Sequence, residues 1–208
     1  MTQPLILPKT KGLSAWILGG VHGREPAGIA AICSHGPFPD YCLVAPCVNP
    51  LAFMKGEHHG DSDDYKECFW DMVEWAKKYP PALILNLHED DEAFQYPGFY
   101  LYHYGEDKRI PYIVLEAVRR EKLTIAPSED DTWETERIEN GVIVASYETL
   151  GDPNIDEYAS GVLGTEVIVA ETPSSVWPIK ARLRAHAAVL SALPKLWEIV
   201  NEPPRYIQ

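Results

Sequence analysis

Residues 18–28 read Leu-Gly-Gly-Val-His-Gly-Arg-Glu-Pro-Ala-Gly (LGGVHGREPAG). An apolar run ends in two glycines, and His22 and Glu25 follow three positions apart. The run Leu13 to Leu18 reads as a strand that stops at Gly19-Gly20. Pro26 suits the first turn of a helix, where a missing N–H costs little, and Ala27 to Cys33 continue it. The stretch is therefore a strand–turn–helix unit, and it leaves a histidine and a carboxylate in the turn.

The rest of the chain repeats that alternation. Tyr41 to Val48 reads as a second strand. Phe69, Met72, Val73 and Ala76 recur at helical spacing, which predicts an amphipathic helix over Lys66 to Lys78. Ala82 to Leu87 is continuously apolar and of strand length, as in a strand buried on both faces. Phe99 to Tyr104, Val142 to Ser146 and Val167 to Ala170 predict further strands, and Ile113 to Arg120 part of a helix. Leu183, Ala187, Leu190, Leu193, Trp197 and Val200 form one stripe of a last helix that Pro194 must kink or interrupt. Strands alternating with helices predict an α/β fold, a three-layer α/β/α domain with a mixed, largely parallel central sheet. At 208 residues without an internal repeat or linker, residues 1–208 read as one domain.

Bulk properties exclude several partners. With 18 basic and 31 acidic residues the net charge is −13, so neither nucleic acid nor an anionic membrane surface is expected to bind. No apolar run reaches the roughly 20 residues that span a bilayer. The N-terminal segment MTQPLILPKTKG lacks a signal-peptide apolar region, so the expected location is cytoplasmic. Cys33, Cys42, Cys47 and Cys68 fit no zinc-knuckle spacing and are expected as reduced, mostly buried thiols. Nothing in the sequence indicates an oligomeric state.

Sheets of this class bind ligands beyond the carboxyl ends of their strands. Three positions meet that demand: His22 with Glu25 after the first strand, His88 in ALILNLHED, and Glu171 in TEVIVAETPSS. Two imidazoles and a carboxylate are the ligand set of a catalytic zinc, and a separate carboxylate supplies a general base. His58-His59 with Asp61, Asp63 and Asp64 is a weaker second cluster, expected to face water. Glu89 to Glu92 reads as a solvated acidic turn whose first residues, Glu89 and Asp90, lie close enough to orient His88.

As a set, these motifs resemble the zinc carboxypeptidase superfamily, which includes the succinylglutamate desuccinylase and aspartoacylase branch. His22-Gly23-Arg24-Glu25 matches the family's first metal motif. Asn49-Pro50, with Ala52, matches its Asn-Pro stretch in the Asn-Pro-x-Ala form of the deacylase branch. His88 matches the second metal histidine and Glu171 the catalytic glutamate, so the order agrees over about residues 13 to 200. The resemblance implies one Zn²⁺ per chain held by His22, Glu25 and His88, with Glu171 catalytic. It implies substrate contacts from Arg24, Asn49, Lys66 and a tyrosine, Tyr147, with Tyr158 and Tyr104 as alternatives. There is one departure: where the family carries Asp-x-Asn-Arg, this chain reads Asp64-Tyr65-Lys66-Glu67. Lys66 is a point charge without the bidentate fork that grips a carboxylate.

The implied function is zinc-dependent hydrolysis of an amide bond in a small peptide, carboxypeptidase-like, by metal-activated water with a glutamate base. An N-acyl amino acid deacylase is the alternative. A non-catalytic zinc-binding domain with decayed substrate recognition is the reading from a different class.

Overall fold

The computed structural model describes residues 5–57, 63–90, 96–128, 138–144 and 154–202. Among the described residues, seven strands form one sheet: β1 (Ser14–Gly19), β2 (Cys42–Ala45), β3 (Pro81–Asp90), β4 (Tyr100–Tyr104), β5 (Ile138–Glu139), β6 (Val142–Val144) and β7 (Glu166–Pro173). Their order is β2-β1-β3-β7-β4-β6-β5. The four strands β2, β1, β3 and β7 run parallel, β4 is antiparallel to β7, and the short β5–β6 hairpin closes the far edge. The expected mixed, largely parallel sheet is what forms.

The two largest hydrophobic clusters among the described residues lie on its two faces. On one face Ala15, Ile17, Leu83, Leu85, Leu87, Ile168 and Ala170 pack against α1 (Pro26–His35), α4 (Arg109–Arg120), α6 (Ile179–Ser191) and α7 (Leu193–Val200). On the other, Trp16, Leu18, Leu43, Ile84, Val167 and Val169 pack against α3 (Asp63–Lys78) and α5 (Ile155–Leu163). The continuous apolar run of β3 is explained by this double covering: Leu83, Ile84, Leu85 and Leu87 are wholly buried. Each contributes roughly 1.5–3 kcal/mol of burial relative to exposure.

Several boundaries differ from expectation. β2 spans only Cys42–Ala45 rather than Tyr41 to Val48, because Pro46 has no N–H for the ladder. β3 continues past Leu87 to Asp90, where Glu89 and Asp90 are 2% and 9% exposed. The solvated acidic turn is therefore corrected for these two residues; the other two, 91 and 92, lie outside the described residues. The last helix is divided at Ala192, with Pro194 in the first turn of α7. No disulfide links the four cysteines, and only Cys42 is buried; Cys47 and Cys68 are half-buried and Cys33 is exposed.

Two helices had no counterpart in the sequence reading. In α2 (Pro50–Lys55), Asn49 caps the first turn by accepting the Ala52 N–H at 3.0 Å, and Gly56 ends it in the left-handed region. In α5, Asn154 accepts from the Glu157 N–H at 2.8 Å, and Gly164 likewise ends the helix.

Candidate metal centre

β1 has β2 on one side and β3 on the other, so the crevice between the carboxyl ends of β1 and β3 is a topological switch point. The chain leaves β1 through the turn that carries His22 and Glu25, and β3 carries His88 near its end. Local packing fixes the turn. The Gly23 N–H donates to the Glu57 carbonyl at 2.8 Å, and a Cβ on Gly23 would stand 2.1 Å from the Ala52 carbonyl oxygen. Only glycine lets the turn lie this close to the end of α2.

Both imidazoles turn Nδ1 toward one Glu25 oxygen. His22 Nδ1 is 3.2 Å and His88 Nδ1 2.9 Å from Glu25 Oε1, and the rings meet edge to face with centroids 5.0 Å apart. One donor atom from each of His22, Glu25 and His88 lies within 4.8 Å of the others. The other Glu25 oxygen accepts the His22 backbone N–H at 3.0 Å. Glu25 and His88 are buried, whereas the His22 side chain is 31% exposed, which opens the cluster on one side. Two nitrogens and one carboxylate oxygen converging from a buried floor fit a divalent cation with an open coordination position.

The electrostatics of Glu25 agree with that fit. Burial by itself would raise the Glu25 carboxyl, but the charge of His88 and hydrogen bonds from both imidazoles hold it well below the usual carboxylate range. Glu25 is thus anionic, as a ligand must be. His88 is desolvated, yet the Glu25 carboxylate outweighs this and raises its imidazole, so an ion bound there would displace a proton from it.

Glu171 stands beside His88 on the neighbouring strand. His88 and Glu171 are direct partners across β3 and β7, and Tyr100 of β4 is the partner of Glu171 on its other side. Paired residues share a face, so all three side chains lie on the α3/α5 side of the sheet. The Tyr100 hydroxyl donates to Asp90 at 2.9 Å. Burial pushes the Glu171 carboxyl up to about 8; His88 opposes the shift, and Glu25, Asp90 and Asp156 add to it.

The other expected contacts are distributed as follows. Arg24 is exposed, and its Nε donates to the Gly56 carbonyl at 2.9 Å, which ties the metal-motif turn to α2. Asn49 is 1% exposed; its amide oxygen is used as the α2 cap, and its Nδ2 is buried without a partner. Lys66 is exposed on α3. Tyr147, His58, His59 and Asp61 lie outside the described residues. Tyr104 pairs with Val167 at the opposite end of β7 from Glu171, and Tyr158 packs edge-on against Phe69.

Two polar residues near His88 were not singled out in the sequence. Asn86 lies two positions before His88 on the same strand face, and its Nδ2 donates to both oxygens of Asp156, at 3.2 and 3.0 Å. Both are buried, and the negative charge of Asp156 acts on His88. The period-2 spacing could have shown Asn86, whereas Asp156 arrives from α5 through tertiary folding alone.

Behind this cluster, Gly28 of α1 packs on β3. A Cβ there would lie 2.8 Å from the Leu87 carbonyl oxygen, immediately before His88. Gly28→Ala is expected to push α1 off the sheet and destabilise the protein by about 1–3 kcal/mol. Thermal unfolding would show this as a Tm lowered by about 2–4 °C per kcal/mol in a chain of this size.

No family model and no curated protein matches the chain. Solved structures do share its fold. A protein from Shewanella amazonensis, provisionally described as a metallopeptidase, superposes with a TM-score of 0.72 at 19% identity, over 90% of this chain and 79% of that one. The murein-tripeptide amidase of Escherichia coli O157 gives 0.56 at 12% identity, over 92% and 85%. The succinylglutamate desuccinylase of Chromobacterium violaceum gives 0.54 at 14% identity, over 89% and 62%. This chain shares the fold of these structures.

Proposed function

We propose that this protein is a zinc-dependent hydrolase that cleaves an amide bond in a small peptide, in the manner of a carboxypeptidase. One observation carries the reading: His22, Glu25 and His88 meet at a strand switch point, with Glu171 directly beside His88. Similarity of fold to a described metallopeptidase, an amidase and a desuccinylase supports hydrolysis as the class of reaction.

His22, Glu25 and His88 would hold the metal, one ion per chain. A divalent cation there supplies Lewis acidity, polarising the scissile carbonyl and acidifying water. Glu171 then accepts the proton of the attacking water and returns it to the leaving amine. Its raised carboxyl suits both halves of that cycle near neutral pH, since it neither holds nor releases a proton too firmly. Arg24, at the rim, is the candidate to meet a substrate carboxylate or the developing oxyanion, with Lys66 and Tyr147 as further candidate contacts.

The stretch Asn49-Pro50-Leu51-Ala52 favours a second reading, deacylation of an N-acyl amino acid. Assay of the zinc-loaded protein on short peptides and on N-acyl amino acids separates the two. Release of a C-terminal residue is the expected result; faster cleavage of the acyl substrates would favour the deacylase. Stoichiometric zinc with no turnover of either class would instead indicate a non-catalytic zinc-binding domain.

A further inference from the structure

We infer that Glu89 and Arg182 form a positioning pair for the metal centre: Glu89 caps helix α1 in place of Glu25 and thereby leaves Glu25 free to act as a ligand. The inference rests on the metal-site reading above. It starts from a vacancy in the ordinary capping scheme. The first N–H groups of a helix need an acceptor, and the N-cap side chain usually provides it. In α1 the N-cap residue is Glu25, and its side chain makes no capping hydrogen bond. Its carboxylate is turned to the two imidazoles instead.

The acceptor comes from β3. Glu89 follows His88, so strand alternation points it to the opposite face, toward α1 and α6. Its Oε1 accepts the Ala27 N–H in the first turn of α1 at 2.5 Å. Its Oε2 pairs with the Arg182 guanidinium from the first turns of α6. The backbone N–H of Glu89 donates to Glu25 Oε1 at 3.3 Å. One residue therefore holds the metal-motif turn at two points, through its main chain at the ligand and through its side chain at the helix behind it.

Charge explains why Arg182 is needed. The Glu89 side chain is 0% exposed, and a buried carboxylate without a cation is costly. The positive end of α1 and the guanidinium together supply that counter-charge. The sheet continues beyond Glu89 to the Asp90–Pro173 pair, so neither Glu89 nor Arg182 faces the side where His88 and Glu171 lie. Both act through Glu25, as positioning residues.

The test measures zinc affinity by chelator competition, together with thermal unfolding of the metal-free protein, for wild type, Arg182→Met, Arg182→Lys, Glu89→Gln and the double variant Glu89→Gln/Arg182→Met. Expected are a zinc Kd about 10–100-fold weaker in Arg182→Met, Glu89→Gln and the double variant, a range typical of lost support around metal ligands. Arg182→Lys, which keeps the charge, is expected to recover most of the affinity. A zinc Kd within threefold of wild type in every variant that folds would overturn the inference, even with a lowered Tm, because the pair would then be a structural brace only. If Arg182→Met does not fold, Glu89→Gln decides in the same way. Wild-type protein that binds no zinc would instead overturn the metal-site reading itself.

Discussion

Exchange of Glu171 for glutamine is expected to lower kcat by about 10²–10⁴-fold while zinc content stays at that of the wild type. The amide keeps the shape of the side chain and its place beside His88, but it cannot accept a proton from water. Because Glu171 is no member of the His22–Glu25–His88 cluster, the metal has no reason to leave. The pH profile should follow. A carboxyl raised toward 8 by burial must lose its proton before it can act as base, so kcat/KM of the wild type rises with pH. Positive charge from a bound cation favours the carboxylate, which places that limb below 8. The limb should disappear from the residual activity of the glutamine variant. Full activity in Glu171→Gln, or loss of its zinc, would remove the assigned role.

Replacement of His88 by alanine is expected to abolish stoichiometric zinc binding, with the metal's Kd weakened by more than the roughly 100-fold that follows loss of an outer support. Activity should fall with it. His88 is the one ligand delivered by the sheet interior, and its removal also strips Glu25 of its closest imidazole at 2.9 Å. Glu25 is held below its unfolded-state value, so the stability it contributes is present above about pH 4.5 and lost as pH falls through the lower folded value. His88→Ala should therefore lower the Tm of the metal-free protein at neutral pH, and the difference from wild type should shrink in acid. Elemental analysis and thermal unfolding at two pH values check both parts. Zinc retained near one per chain after this change would remove His88 from the ligand set.

Much of this architecture was legible in local patterns. The continuous apolar run at Ala82 to Leu87 marked the central strand because a doubly covered strand has no polar face to show. The glycine-rich exit from β1, with Pro26 just beyond Glu25, marked a strand–turn–helix, and the fold then brought His22, Glu25 and His88 together. Helices α2 and α5 carried start and stop signals in Asn49-Pro50 with Gly56, and Asn154 with Glu157 and Gly164. Those signals were readable but short, and each helix has few turns to build a periodic stripe.

Glu89 shows where local reading ends. In sequence, HEDDE looks like a solvated acidic turn, because nothing nearby can neutralise it. In the fold, the α1 N-terminus and Arg182, 93 residues away, make burial of that carboxylate possible. Asp156 meets Asn86 across 70 residues for the same reason. The sequence by itself determined the alternation of strands and helices, the strand exits and the chemical types of the residues in the candidate metal centre, since these depend on neighbours a few residues apart. Only the tertiary structure decided which charges could be buried and which face each polar side chain served. A buried charge is tolerated only when its partner is in place, and here the partners come from distant helices.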